Sequence, residues 1–496
     1  MLRYVTNQFL LLSIARIVKE RPAARPHILI PTERVRKRVP EQRSVKPAIQ
    51  QHRRNSSAAL QQVVIRNRAT GKGGVCAVCS AHPWVIDAAV QQAIEDDSLL
   101  LVESTSSQVN QQGGYTGQTP RQFAEFVHQA ARRIALPKDR ILLGGDHLGP
   151  FPWRASKSNY ALKNACELVR ACVLAGYGKI HLDASMACAD DAKVLSEHTV
   201  ARRAAALCEA AEEALKDLPR AAVPPLYIIG TEVPAPGGES VSGARPAVTT
   251  VESLHRTLQV FQQAFEERGL SAAWERVIGV VVQPGVEFGN DFVLEYDRSQ
   301  ARSLSAALPR SPALVYEAHS TDYQSAAALS QMVHDHFAIL KVGPWLTFAF
   351  REAIFALSAI EKELHAGRKS PKLSRVREVL DRTMVRKPAH WRSYYHGDEN
   401  HLRLSRAYSY SDRCRYYWHE PAVQAEIERL LHNLNKHALP AMLVSQYLPQ
   451  EYEAIRAGQI ESQPEAMIRF HIQRVLRIYA SACGVEKTMA PIRISS

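Results

Sequence analysis

From residue 73 onward, short apolar runs alternate with longer amphipathic stretches. The runs are GVCAVCSA (73–80), SLLLVEST (98–105), ILLGGDH (141–147), KIHLDAS (179–185), PLYIIGTEV (225–233), RVIGVVVQP (276–284), ALVYEAHS (313–320) and HFAILKVG (336–343). Most are apolar almost throughout, as strands covered by helices require. Between them, stretches such as TPRQFAEFVHQAARRI, NYALKNACELVRACVLAG and TVARRAAALCEAAEEAL repeat apolar positions at helical spacing. Thr119 before Pro120 predicts an N-cap with a first-turn proline, and Gly176 predicts a helix C-terminus. Eight βα units over about 290 residues predict an α/β fold of the (β/α)8, or TIM, barrel class. A doubly wound open sheet is the rival; the unit count and the lack of GxGxxG after the first strand speak against it.

The alternation ends near residue 366. SPKLSRVREVLDRTM, QAEIERLLHNLNKHAL and PEAMIRFHIQRVLRIYASA then read as amphipathic helices, so residues 367–496 are expected to form a helical region packed on a barrel of residues 61–366. Residues 1–60 stand apart. They hold 13 of the 62 Lys and Arg and only 3 of the 49 Asp and Glu. Of the formal charge of +13, this arm carries +10, and the rest of the chain is nearly neutral. A nucleic-acid-binding face on the body is therefore not expected. With an apolar core of only FLLLSIA, the arm fits a disordered extension, or upstream sequence translated from a misplaced start, better than a targeting segment. No apolar run approaches the roughly 20 residues of a membrane span. Eight scattered cysteines fit free thiols in a reducing compartment, hence a cytoplasmic protein, with Cys76 and Cys79 read as strand residues rather than a redox or zinc pair.

Catalytic groups of such barrels collect at the C-terminal strand ends. Here those ends carry Glu103, Asp146 with His147, His181 with Asp183, Glu232, Gln283 with Glu287 nearby, Glu317 with His319 and then Asp322, and Lys341. Burying so many ionisable groups costs several kcal/mol each unless they are paired or bind metal. Imidazoles and carboxylates converging on one point suit zinc, with manganese or cobalt as alternatives. His147 and His319 are the leading ligands, and Asp146 is a general acid or base beside them. Asp183 is either an inward site residue or a structural partner of a neighbouring strand, and His181 a ligand or a layer filler. Lys341 pairs with a carboxylate or a substrate phosphate; a Schiff-base role is the rarer alternative. NQQGGYTGQTP, with Gly113 and Gly114, and PAPGGES are either anion-binding loops or lids. Arg413 and Arg415 either reach a phosphate or form salt bridges. A metal acting as a Lewis acid on a sugar ketone would support aldol cleavage, isomerisation or epimerisation.

The segments CAVCSAHPWVIDAA, ESTSSQVNQQGGYTG, LLGGDHLGP, KIHLDASMACA, IGTEVPAPGGE, VVQPGVEF, VYEAHSTDYQ, FAILKVGPWLTFAFREAIFAL and YSYSDRCRYYW together resemble the GatZ/KbaZ family from about residue 60 to near 485. The family is described as the non-catalytic subunit of class II D-tagatose-1,6-bisphosphate aldolase. The resemblance implies a barrel with a helical C-terminal region. It also implies a role in supporting a separate catalytic subunit in galactitol or N-acetylgalactosamine breakdown. Some members carry the label of a tagatose-6-phosphate kinase, yet no GxxxxGK[ST] or other kinase signature is present.

A further resemblance is to the catalytic class II aldolases. It implies that His147 and His319 bind zinc, that Asp146 moves the proton and that Glu232 lies on the glutamate-bearing strand. Where those enzymes place a third zinc histidine, this chain has VVQPGVEF, so Gln283 or Glu287 would have to substitute. Three functions follow as expectations: a helper subunit, a metal-dependent ketose-phosphate enzyme such as a 4-epimerase of tagatose 6-phosphate and fructose 6-phosphate, or a scaffold without a site. Substrate, metal and oligomeric state stay open.

Overall fold

The computed structural model describes residues 55–231, 245–308, 313–366 and 372–485. The basic arm up to residue 54, Glu232 and the PAPGGES loop lie outside these residues. Eight strands form a closed, all-parallel barrel: β1 (Val75–Cys79), β2 (Leu100–Thr105), β3 (Ile141–Leu148), β4 (Lys179–Leu182), β5 (Leu226–Ile229), β6 (Val277–Val281), β9 (Val315–Ala318) and β10 (Phe337–Val342). All eight fall within the apolar runs read from the sequence, except that β3 extends one residue further. Two short strands absent from that reading, β7 (Glu287–Phe288) and β8 (Val293–Leu294), form a small antiparallel hairpin after β6.

Local chemistry sets the helix ends. Thr119 and Gln122 form a reciprocal capping box ahead of Pro120, and Gly176 adopts φ +89° just beyond the Ser158–Leu174 helix. The Ser56–Thr70 helix begins a few residues before the boundary at 60 and packs against β3, β9 and β10. In the C-terminal region, the Pro464–Ala482 helix packs on the Pro83–Glu95, Ala326–His334 and Pro344–Leu364 helices. All eight cysteines are free thiols, with Cys76 and Cys79 on β1. Among the described residues, no helix is long and apolar enough to cross a membrane.

The barrel interior is layered. Val75, Ala77, Leu101, Leu142, Leu226, Ile228, Val315 and Ile339 fill its lower part, joined by Leu60 and Val64 of the Ser56–Thr70 helix. Intervening residues such as Val78, Leu100, Val102, Ile180 and Tyr316 pack outward against the helices. This period of two continues upward, so Glu103 follows Leu101 inward and Glu317 follows Val315. The apolar plug therefore ends in a charged layer.

Two glycines of the LLGGDHLGP segment permit this arrangement. Gly144 stands in register between Glu103 and Lys179, and a Cβ there would lie 2.8 Å from Glu103 Cγ. Gly149 lets the end of β3 pass β4, since a Cβ there would lie 1.5 Å from the Asp183 carbonyl oxygen. A backbone atom cannot yield as a side-chain tip can. Gly149→Ala is therefore expected to cost about 3 kcal/mol or more, measured by urea unfolding; a loss under about 1 kcal/mol would contradict this close approach.

Candidate functional site

Adjacent residues of a regular strand face opposite sides, yet Asp146 and His147 are both buried at the cavity. The register of β3 against β4 slips between Gly145 and Leu148, and His147 adopts φ +48°. The left-handed turn breaks the alternation and brings both side chains to one site. The His147 backbone N–H then donates to His181 Nδ1 at 3.2 Å. His147 Nδ1 meets Asp183 Oδ2 at 2.9 Å, and Asp183 Oδ1 accepts from the Ser185 hydroxyl and backbone N–H. A carboxylate behind an imidazole fixes the ring and raises its basicity.

Below these rings lies the charged layer. Lys179 is wholly buried, 2.6 Å from Glu103 Oε1 and 2.6 Å from Glu317 Oε2. Lys341 sits above it, 2.5 Å from Asp146 Oδ1, 3.3 Å from Glu317 Oε1 and paired with Glu103 Oε2. Each glutamate thus gives one oxygen to each lysine. Burial works against the charge on Lys341, but Asp146 and its other anionic neighbours hold its ammonium pKa well above the usual value. A Schiff-base nucleophile must be a free amine, so this setting does not suit one. Burial also opposes ionisation of Asp146 and Glu317. His147 and Lys341 nevertheless hold Asp146 well below the usual carboxylate range, and Lys179 and Lys341 do the same for Glu317.

The His147, His181 and His319 rings surround one point, with centroids 4.7–5.1 Å apart. Burial lowers the pKa of His181 and lowers that of His319 to about 3, so both are neutral. Burial also acts against a charged His147, but Asp146 and Asp183 outweigh it and raise this pKa. His181, His319, Asp146 and Glu317 each offer one ligand atom, all within 4.8 Å of one another. His319 Nε2 lies 3.1 Å from Glu317 Oε1, while His181 Nε2 is buried without a hydrogen-bond partner. Four carboxylates, of Glu103, Asp146, Asp183 and Glu317, face two ammonium groups here. With His181 and His319 neutral, negative charge stays in excess even when His147 carries a proton. A buried excess of negative charge calls for a cation. Two neutral imidazoles beside two carboxylates form a donor set suited to a divalent transition metal.

The site lies in a cavity of about 610 Å³. Asp146, His147, His319 and Lys341 line it, and Arg154, Arg413 and Arg415 line it as well. Both arginines named in the sequence analysis thus reach the barrel from the C-terminal region. Arg413 stacks on Tyr394, and Arg415 donates to the Tyr416 hydroxyl at 2.9 Å. Gly114 also lines the cavity, but its N–H donates to Asn110 Oδ1 and that of Gly113 donates to Asn110 O, so both donors are used within their loop. Gln283 folds back to accept from Gly285 N–H, and Glu287 accepts from Phe288 N–H. Neither lines this cavity, and Glu287 is not in the group of metal-competent ligand atoms. The third imidazole is instead His181. Lys179 is the site residue that the strand-end pattern misses; its signal in the sequence is the spacing Lys179, His181, Asp183, which places all three on one strand face.

Residues 60–484 match the family model described as D-tagatose-1,6-bisphosphate aldolase subunit GatZ/KbaZ-like. The chain belongs to this family. It is 45% identical over 427 residues to the D-tagatose-1,6-bisphosphate aldolase subunit GatZ of Klebsiella pneumoniae, covering 86% of this chain and 100% of that one. A crystal structure of a probable tagatose 6 phosphate kinase from Sinorhizobium meliloti is 44% identical, with a TM-score of 0.75 over 83% of this chain and 100% of that one. This GatZ/KbaZ-like chain therefore shares its barrel and C-terminal region with relatives over their full length.

Asp322 also lines the cavity, its Oδ1 accepting from Gly343 N–H at 3.0 Å and Trp345 N–H at 2.8 Å at the start of the Pro344–Leu364 helix. Burial raises its pKa from 3.8 to about 6 despite those bonds. The folded state therefore keeps a proton that the unfolded state loses, and this group's stabilising contribution falls as pH rises from about 4 to about 6. Asp322→Asn removes that slope. Urea unfolding at pH 4.5 and 7.5 is expected to show the variant gaining about 2 kcal/mol relative to wild type as pH rises; an unchanged difference would refute the assignment.

Proposed function

We propose that this chain is a GatZ-type subunit that supports a class II D-tagatose-1,6-bisphosphate aldolase catalytic subunit, and that its own barrel is a working divalent-metal site for a phosphorylated ketose. The family assignment supports the first part. The second is carried by one observation: three imidazoles and a group of paired carboxylates at a cavity whose lining also includes arginines. A site kept only for docking has little physical reason to keep so many buried ionisable groups.

His181 and His319, with Asp146 and Glu317, would hold the metal, and His147 backed by Asp183 would complete the ring. Zinc suits this set best, with manganese or cobalt as alternatives. When bound, such an ion would polarise the ketone and stabilise an enediolate. Asp146, through the carboxylate oxygen not offered to the metal, would accept the proton of the C4 hydroxyl as the C3–C4 bond breaks, leaving an aldehyde and an enediolate. Addition back to the other aldehyde face, with the proton returned, inverts C4. Arg413 and Arg415 hold the phosphate and limit the travel of the aldehyde fragment. This would interconvert tagatose 6-phosphate and fructose 6-phosphate. The setting would be cytoplasmic galactitol or N-acetylgalactosamine breakdown, consistent with eight free thiols.

Two measurements separate the parts. Purified protein loaded with zinc or manganese should epimerise tagatose 6-phosphate, and His319→Ala should lower both bound metal and turnover by about 10-fold to 100-fold. Turnover unaffected by loss of metal would end the metal-dependent reading, and no turnover by the metal-loaded protein would end the enzyme reading. Co-expression should raise the activity and yield of a class II catalytic subunit; failure to copurify with or activate one would end the subunit reading.

A further inference from the structure

Lys341 and the metal-competent group compete for the same atoms. Its ammonium nitrogen lies 2.5 Å from Asp146 Oδ1 and 3.3 Å from Glu317 Oε1. Asp146 and Glu317 are also two of the four residues whose ligand atoms lie within 4.8 Å of one another. The second oxygen of Glu317 is committed to Lys179, which leaves Oε1, the atom facing both Lys341 and His319 Nε2. A zinc–oxygen bond of about 2.0–2.2 Å on such an oxygen brings a second cation close to the ammonium. Their repulsion in a buried site is weakly screened.

The two lysines are not equivalent. Lys179 is wholly buried and pairs with Glu103 Oε1 and Glu317 Oε2, while Lys341 pairs with the other oxygen of each. It is the fixed counter-ion that keeps both glutamates in place. Lys341 lines the cavity and has open volume beside it.

We propose that Lys341 is an internal counter-ion occupying the metal's place on Asp146 and Glu317, and that metal binding drives its ammonium off these carboxylates into the cavity. The proposal rests on the metal reading above. It also reconciles two roles for one residue, because the displaced ammonium becomes available to a substrate hydroxyl or phosphate.

The test uses the full chain and zinc or manganese alone, with affinity measured by chelator competition. Lys341→Gln removes the competing cation and is expected to bind metal roughly tenfold tighter than wild type. Lys341→Arg keeps a cation that pairs with carboxylates through two parallel N–H bonds and is harder to displace, and is expected to bind metal roughly tenfold weaker. Acetylation of Lys341 in the wild type, read by mass spectrometry, should rise severalfold when metal is added. Equal or weaker binding by Lys341→Gln, with wild type binding normally, overturns the proposal alone. If Lys341→Gln does not fold without metal, recovery on adding metal supports the proposal. If it does not recover, Lys341→Arg decides, and undiminished affinity there overturns it. Absence of metal binding by wild type and both variants removes the metal reading, and this proposal with it.

Discussion

Everything above the apolar plug depends on one buried ammonium group. Lys179 bridges Glu103 on β2 and Glu317 on β9 from the opposite side of the barrel, with none of the three exposed to solvent. Isolated charges at such depth would cost many kcal/mol, and partnered ones persist only with close geometry. The geometry exists because Gly144, in register between Glu103 and Lys179, presents no side chain. A bulkier residue would separate the pair. Gly144 is therefore a packing requirement of the charged layer.

That layer sets the site above it. Glu103 and Glu317 each give their remaining oxygen to Lys341, which in turn reaches Asp146. Asp146 and His147 share the site only because the strand end turns through a left-handed residue. The lower ions hold carboxylates in place, the carboxylates bias the lysine, and the His181 and His319 imidazoles stay neutral beside them. Neutral imidazoles and ionised carboxylates are the protonation states a metal ion needs in its ligands.

The cavity lining carries both signs of charge. Carboxylates and imidazoles supply one part of its lining, and Arg154, Arg413 and Arg415 supply another. Arg413 and Arg415 come from the C-terminal region, so that region completes the cavity as well as packing on the barrel's helices. The family's link to tagatose-bisphosphate aldolase and the polar site are thus compatible properties of one chain, whichever subunit performs the main reaction.

Much of this was legible beforehand. Periodicity alone determined the eight strands, because burial on both faces demands unbroken apolar runs and helices demand a 3.6-residue repeat. Thr119, Gly176 and the paired Asp146 and His147 were readable because caps and strand ends act through neighbours in sequence. What the tertiary structure decided was which distant residues meet. It brought in His181 as the third imidazole where Gln283 or Glu287 had been expected, since both of those residues bond to their own loop. It placed Lys341 on carboxylates and showed Lys179 beneath them. Ion pairing across a barrel depends on register and closure between strands far apart in sequence, which a linear pattern does not encode.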